Sequence, residues 1–265
     1  WKGMLYDPHL DLSYDIDFGI RQSRQILIDI AEIGLPTATE FLDPIVPQYL
    51  ADLITWAAIG ARTAESQIHR QMASGLSMPI GFKNATDGNL NVALDAIKAS
   101  SNPHSFLGID RNGQVIIAET KGNKYGHLVM RGGTRGPNFT SEYVAFAEIL
   151  LQKQRVPNGM VIDCSHANSY KDHDRQEEVL NSVLEQLSQG NRSIGSVMIE
   201  SNIGAGNHMK NIDMSRLVLR ELGKPESLIS HVRDREGHDF RYAIDSSKLV
   251  ALGWSPEYDA ETAII

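Results

Sequence analysis

A single cysteine, Cys164, stands in 265 residues. No internal disulfide can form, so a folded chain must be held by its core, and a lone thiol fits a reducing, cytoplasmic setting. No apolar run approaches the ~20 residues of a membrane-spanning helix. The opening Trp1-Lys2-Gly3-Met4 lacks both the basic region and the apolar stretch of a secretory signal, so no membrane partner is expected. Basic residues are the minority, 25 Lys and Arg against 33 Asp and Glu, a net charge of -8. A nucleic-acid backbone selects a basic face, so nucleic acid is not expected as a partner. Small anions remain possible, because a local cluster of cations can sit in an acidic protein. Tandem repeats and low-complexity tracts are missing too.

What is present is an alternation of short apolar runs with helical patterns. The runs at 36–43, 56–61, 79–83, 127–130, 160–163 and 194–200 read as strands. Helices are expected at 48–55, 66–73, 90–99, 142–154 and 176–187, with an amphipathic helix at 14–33 ahead of the first strand. Two further extended runs, 105–110 and 115–119, flank Asn112-Gly113 and predict an inserted β-hairpin. This rhythm implies a parallel sheet with helices packed over it, of (β/α)₈ TIM-barrel type, but with about six strands it falls short of closure. After about Asn202 the texture shifts to a helix at 212–222, a Gly-Lys-Pro break and short extended pieces.

In such a barrel the active site lies at the C-terminal ends of the strands. The residues just beyond successive runs are Arg62, Lys83, Arg131, His166 and Glu200. One strand-end cation is usually only solvated; five chemically capable residues in succession on one face are harder to leave idle. Arg62, Lys83 and Arg131 converging would hold a small ligand carrying phosphate and carboxylate. His166 and Glu200 could place two ligands on a divalent ion. Gly132 and Gly133 mark either a close backbone approach to a ligand or a simple turn. Cys164 reads first as a small buried apolar residue and second as a soft metal ligand. His69 and His173 read as surface residues, and Glu177-Glu178 as a solvated helix face.

The text Glu32-Ile33-Gly34-Leu35-Pro36-Thr37-Ala38-Thr39-Glu40-Phe41-Leu42-Asp43 is followed by PQYLADLITWAAIGARTAESQIHRQMASGLSMPIGFKNATDG, VMRGG, IDCSHANS and MIESN. Together these resemble the class I 3-deoxy-D-arabino-heptulosonate 7-phosphate (DAHP) synthases over residues 1–202. The resemblance implies condensation of phosphoenolpyruvate with erythrose 4-phosphate, the first step of aromatic amino-acid synthesis. It implies that Arg62, Lys83 and Arg131 are catalytic and, with Glu40, bind phosphoenolpyruvate. His166 and Glu200 would hold a divalent metal (Mn²⁺, Fe²⁺ or Co²⁺), a Lewis acid toward the aldehyde. Pro47, Gln48, Leu76, Ser77, Phe106 and Gly108 fall where the family forms its aromatic amino-acid feedback pocket, and Gly108 leans toward tyrosine as effector.

The resemblance also implies that the family's first two barrel strands precede Trp1. With them would go a metal-binding cysteine, which Cys164 is not, and the basic loop that holds erythrose 4-phosphate. A fourth metal ligand, an aspartate after the last strand, has no match. From residue 203 the text NIGAGNHMKNID, LGKPESLI, VRDREGHDFRYAIDSSKL and LGWSP resembles the C-terminal part of dTDP-glucose 4,6-dehydratases. By that resemblance Asn211, Arg235 and His238 would contact a nucleotide sugar, although that family's glycine fingerprint and Tyr-x-x-x-Lys pair are missing. The expected organisation is therefore a partial barrel over 1–202 and a dehydratase-like segment over 203–265, joined as a chimera. The alternatives to the synthase reading are an inactive chimeric fragment and a nucleotide-sugar-binding segment. An incomplete barrel exposes unpaired strand edges, so a homo-oligomer is expected.

Overall fold

Short runs of small and β-branched residues, each followed by a helix, assemble here into one parallel sheet. The computed structural model describes residues 3–9, 11–32, 34–110, 112–156 and 159–200, and beyond them residues 216, 220 and 226. The chain divides into two units, Trp1–Ile199 and Glu200–Ile265. The expected helix at 212–222, the pieces after it, and Asn211, Arg235 and His238 lie outside the described residues, save for residues 216 and 220.

The first unit opens with helix α1 (Ile16–Glu32). Strand β1 (Ala38–Glu40) follows, then the short helix α2 (Pro47–Leu50), a 3-10 turn at Ala51–Leu53 and β2 (Trp56–Ile59). Next come α3 (Gln67–Gly75), β3 (Ile80–Lys83) and α4 (Asn91–Ser100). The hairpin of β4 (Ser105–Ile109) and β5 (Val115–Glu119) interrupts the alternation. It resumes with β6 (Gly126–Met130), α5 (Ser141–Gln154), β7 (Met160–Asp163), α6 (Gln176–Ser188) and β8 (Ile194–Met198).

The sheet order is β1-β2-β3-β6-β7-β8, and every neighbouring pair is parallel. It forms a half-barrel, the incomplete TIM-barrel architecture expected from the alternation. Strands β3 and β7 are buried along their whole length, as parallel strands covered on both faces are. Burial falls away at the edge strands β1 and β8. The core joins Ile59, Phe82, Leu128, Met130 and Ile162 of the sheet to Leu94 and Leu151 of the covering helices.

Two local departures from expectation have clear causes. The helix expected at 48–55 stops as a single turn because the chain must turn extended to enter β2. Ile54 is extended at φ -102 and ψ 124, and the Thr55 and Trp56 amides both donate to the Thr37 carbonyl, at 2.9 and 3.3 Å. The hairpin loop is wider than a two-residue Asn-Gly turn. Asp110 Oδ1 accepts from the Asn112 and Gln114 amides at 2.8 and 2.9 Å, and Gly113 takes the left-handed conformation with φ +76.

Candidate functional site

Because the strands are parallel, their C-terminal ends share one rim. Following the sheet from β1 to β7, that rim carries Glu40, Arg62, Lys83, Arg131 and His166 in order. Glu40, Lys83 and Asp163 are the final residues of β1, β3 and β7. Arg131 directly follows β6, whereas Glu200 stands two residues past β8 and opens the second unit.

The centre of this rim is charged and buried. The Lys83 ammonium lies 3.2 Å from Asp163 Oδ2, with side chains only 7% and 1% exposed. His166 Nδ1 approaches the same oxygen at 3.1 Å. Asp163 Oδ1 accepts from the Ser165 hydroxyl at 2.7 Å and the Ser165 amide at 3.1 Å. Oδ2 has no well-directed hydrogen bond, so it holds its neighbours by charge. Burial pushes the Asp163 carboxyl up, but the close His166 ring, the Lys83 charge and the Ser165 hydrogen bonds outweigh it and hold the group well below the ordinary carboxylate range. His166 itself sits in the left-handed region at φ 56, its carbonyl accepting from the Lys171 amide at 2.6 Å. Strain of this kind persists where the surroundings over-determine it.

Three asparagines that the sequence reading passed over pin the loops around this centre. Asn84, next to Lys83, accepts from the Arg131 amide at 2.8 Å and donates to the Gly132 carbonyl at 2.9 Å. Asn138 accepts from the Gly132 amide at 2.7 Å and donates to Asn84 Oδ1 at 3.2 Å. Asn168 accepts from the Asn138 amide at 2.8 Å and donates to the Met130 and Asp163 carbonyls at 3.1 and 2.8 Å. All three are buried, so each bond removes a desolvated polar group that would otherwise be costly. The only prior signal was adjacency: Asn84 follows a strand-end lysine and Asn168 follows His166 by two residues.

The glycines after Arg131 lie where backbone approaches backbone. A Cβ on Gly133 would collide with the backbone of Asp87 and Gly88, and one on Gly132, at φ +68, would come within 2.9 Å of Ala167. They let three strand-end loops meet backbone to backbone. Gly60 does similar work for Glu40, whose carboxylate occupies the space a Cβ would take.

The structure thus gathers Lys83 and His166 around Asp163 and ties the Arg131 backbone to Asn84. Arg62 is exposed in the turn after β2, with no hydrogen bond or ion pair among the described residues. No group of three or more His, Cys, Asp or Glu side chains that could hold a metal is found among the described residues. Cys164 is fully buried, and burial together with the Asp163 charge pushes its thiol up to about 12. It is therefore a packing residue, as its first reading had it. His69 is more than a surface residue: Nδ1 meets Ser66 Oγ at 2.8 Å and Nε2 meets the Leu42 carbonyl at 3.2 Å, tying the start of α3 to the end of β1.

The effector candidates divide. Leu76 and Ser77 follow α3, where Ser74 Oγ bonds Thr120 Oγ1 at 2.7 Å just past the hairpin that carries Phe106 and Gly108. Helices running back against the strands end at the opposite side of the sheet, so these four lie away from the charged rim. Pro47 and Gln48 sit on α2; no hydrogen bond or ion pair joins it to the hairpin among the described residues.

A model of the DAHP synthetase I family matches residues 1–235. The Tyr-sensitive phospho-2-dehydro-3-deoxyheptonate aldolase of Salmonella typhimurium is 52% identical over 207 residues, 78% of this chain and 58% of that protein. The phospho-2-dehydro-3-deoxyheptonate aldolase of Corynebacterium glutamicum is 49% identical over 217 residues, 82% of this chain and 58% of that protein. A solved phospho-2-dehydro-3-deoxyheptonate aldolase from Francisella tularensis superposes with a TM-score of 0.75 at 53% identity, covering 80% of this chain and 62% of that one. The chain thus spans under two thirds of the length of these relatives. The dehydratase-like reading of 203–265 is not supported: the family match runs on to residue 235, across Asn211 and Arg235.

Proposed function

The chain belongs to the DAHP synthetase I family, and from that premise we propose that it carries the phosphoenolpyruvate-binding side of a DAHP synthase. The reaction read for it is condensation of phosphoenolpyruvate with erythrose 4-phosphate and water to DAHP and inorganic phosphate. The observation that carries this reading is Lys83, a cation held almost completely out of water at a strand end, with Arg131 beginning the loop beside it.

A buried ammonium paired to one carboxylate keeps further N–H donors for a second anion. Lys83, Arg131 and Arg62 together match the phosphate and carboxylate of phosphoenolpyruvate, with Asp163 neutralising only one of the charges. Holding both anionic ends fixes the enol carbon for attack on the aldehyde. As that carbon–carbon bond forms, positive charge develops at the enol-ether carbon; water adds there, and phosphate leaves into the same cations. Glu40, aligned over Gly60 on the neighbouring strand end, is read as a further substrate contact.

His166 and Glu200 are the residues read as holding a divalent ion. The described residues do not assemble a complete donor set, so no step is assigned to a metal. An aromatic amino-acid effector at the hairpin side, a homo-oligomeric state and the domain boundary at 202 belong to the same reading; relatives named Tyr-sensitive and Trp-sensitive favour the effector.

Calorimetric titration of the chain with phosphoenolpyruvate, with and without Mn²⁺, tests the reading. Saturable binding lost in Arg131→Ala and Lys83→Ala is expected. No binding by a cooperatively folded chain would sink it.

A further inference from the structure

We infer that Asn84 is a positioning residue of this site: its side chain carries the pairing of β3 with β6 one step past the backbone ladder and so sets Arg131 in place relative to Lys83. The inference rests on the reading that Lys83 and Arg131 bind one anionic substrate between them.

The register of the two strands shows the substitution. Lys83 stands opposite Val129, the last pair of the ladder, and the Asn84 amide still donates to the Val129 carbonyl at 3.1 Å. Continued regularly, a parallel ladder would next give the Arg131 amide to the main-chain carbonyl of Asn84. It goes instead to the side-chain carbonyl, Oδ1, at 2.8 Å. Asn138 also donates to Oδ1, at 3.2 Å, while Nδ2 donates to the Ala85 and Gly132 carbonyls at 2.8 and 2.9 Å. Two bonds accepted and two donated use the amide in full, so it sits only one way round. It is fully buried, where a hydrogen bond is stronger than in water. On the β7 side the Arg131 carbonyl accepts from the Ala167 amide at 3.2 Å. Further along, the Thr134 amide donates to the Thr86 carbonyl at 2.9 Å; that bond holds the same two loops together but not the Arg131 amide. Lys83 is the residue before Asn84, so one side chain ties both cations' strand ends to a single spacing. A ligand with two anionic groups a fixed distance apart requires such a spacing.

The test compares two buried asparagines at opposite ends of the same strands. Asn123, ahead of β6, donates to the Leu76 and Met78 carbonyls at 2.9 and 2.8 Å and accepts from the Tyr125 amide at 2.8 Å. It clamps loops as Asn84 does, but away from the charged rim. Phosphoenolpyruvate binding is measured by calorimetric titration of the full chain for the wild type, Asn84→Ala, Asn84→Asp and Asn123→Ala, where urea titration shows each chain folded. Both Asn84 variants are expected to bind about 10- to 100-fold more weakly, as a misplacement of up to ~1 Å would cause. Asn123→Ala, although destabilised, is expected to bind as the wild type does. A folded Asn84→Ala with wild-type affinity overturns the inference. So does an equal loss in Asn123→Ala, since binding would then follow stability alone. Asn84→Asp keeps an acceptor for Arg131 but sets a second one against the Gly132 and Ala85 carbonyls, and it carries the comparison if Asn84→Ala does not fold. Hydrogen exchange of the wild type without ligand gives a further readout: the Arg131 amide should exchange at least about 100-fold more slowly than an exposed loop amide. A freely exchanging Arg131 amide overturns the inference whatever the variants do. If the wild type binds no phosphoenolpyruvate, the proposed function fails, and the exchange rate still decides whether Asn84 holds Arg131.

Discussion

Lys83 shows how a single side chain can serve stability and binding at once, and how the two can be separated. Its ammonium and Asp163 form a pair nearly sealed from solvent. Replacing one partner leaves the other charge buried alone, so Lys83→Met is expected to cost about 3–5 kcal/mol of unfolding free energy. The double variant Lys83→Met with Asp163→Asn removes both charges and should recover much of that loss in a urea titration, while phosphoenolpyruvate binding stays absent. Recovery of binding in the double variant would show that the anion is held elsewhere. Gly133 gives a second residue-scale contrast. A methyl group there meets fixed backbone at Asp87 and Gly88, whereas one on Gly136, at φ +117, meets nothing within 4 Å. Gly133→Ala should lose about 1–3 kcal/mol through overpacking and loosen the Arg131 loop. Gly136→Ala should pay only its backbone strain and keep binding intact; equal effects on binding would refute the interlocked-loop account.

At the scale of elements, strands and helices were legible because period and punctuation agreed: Pro79, Gly126 and the Asn112-Gly113 dipeptide fall at element boundaries, and apolar runs fill between them. Strand-end reading also singled out Lys83, Arg131 and His166, which the sheet sets at neighbouring strand ends. It passed over Asn84, Asn138 and Asn168 and gave the strand-end Asp163 no role, because the partners of a buried polar side chain depend on loops meeting in space, which no local pattern encodes. It also missed the pairing between the starts of β2 and β6. Trp56 Nε1 donates to His127 Nε2 at 2.9 Å, and His127 Nδ1 lies 3.1 Å from the Tyr125 carbonyl. The ring must be neutral to accept from tryptophan, and burial lowers its pKa below the ordinary histidine value. The unfolded chain therefore binds a proton that the native chain resists. Stability from this group is complete above about pH 6.5 and is lost as pH falls through that value toward the native pKa. Urea midpoints from pH 8 to pH 5 should fall less steeply in His127→Gln than in the wild type; parallel curves would remove His127 from the pH response.

At the scale of the molecule, the half-barrel poses a problem that its own core does not solve. Among the described residues, β1 and β8 each pair on one side only, and an unpaired parallel edge is a template for another chain. The concave face between them is apolar: a hollow of ≈ 580 Å³ is lined by Ala38, Trp56, Met160, Val161, Val197 and Met198 among others. Apolar surface beside free backbone donors and acceptors favours association. The expectation is reversible self-association at micromolar to millimolar concentration, seen as a concentration-dependent mass in sedimentation equilibrium. Ser196 lies exposed on β8 at the rim of that hollow, where a lysine displaces no packed side chain. Ser196→Lys should therefore change stability by less than about 0.5 kcal/mol and shift the distribution toward monomer, since an inward charge at a sheet edge blocks pairing. A wild type that stays monomeric across the range would mean that the edge and the hollow are already satisfied within one chain. Association unchanged by Ser196→Lys would move the contact to another surface, the first candidate being the hairpin, where Leu107, Val115 and Ile117 are each more than two-thirds exposed.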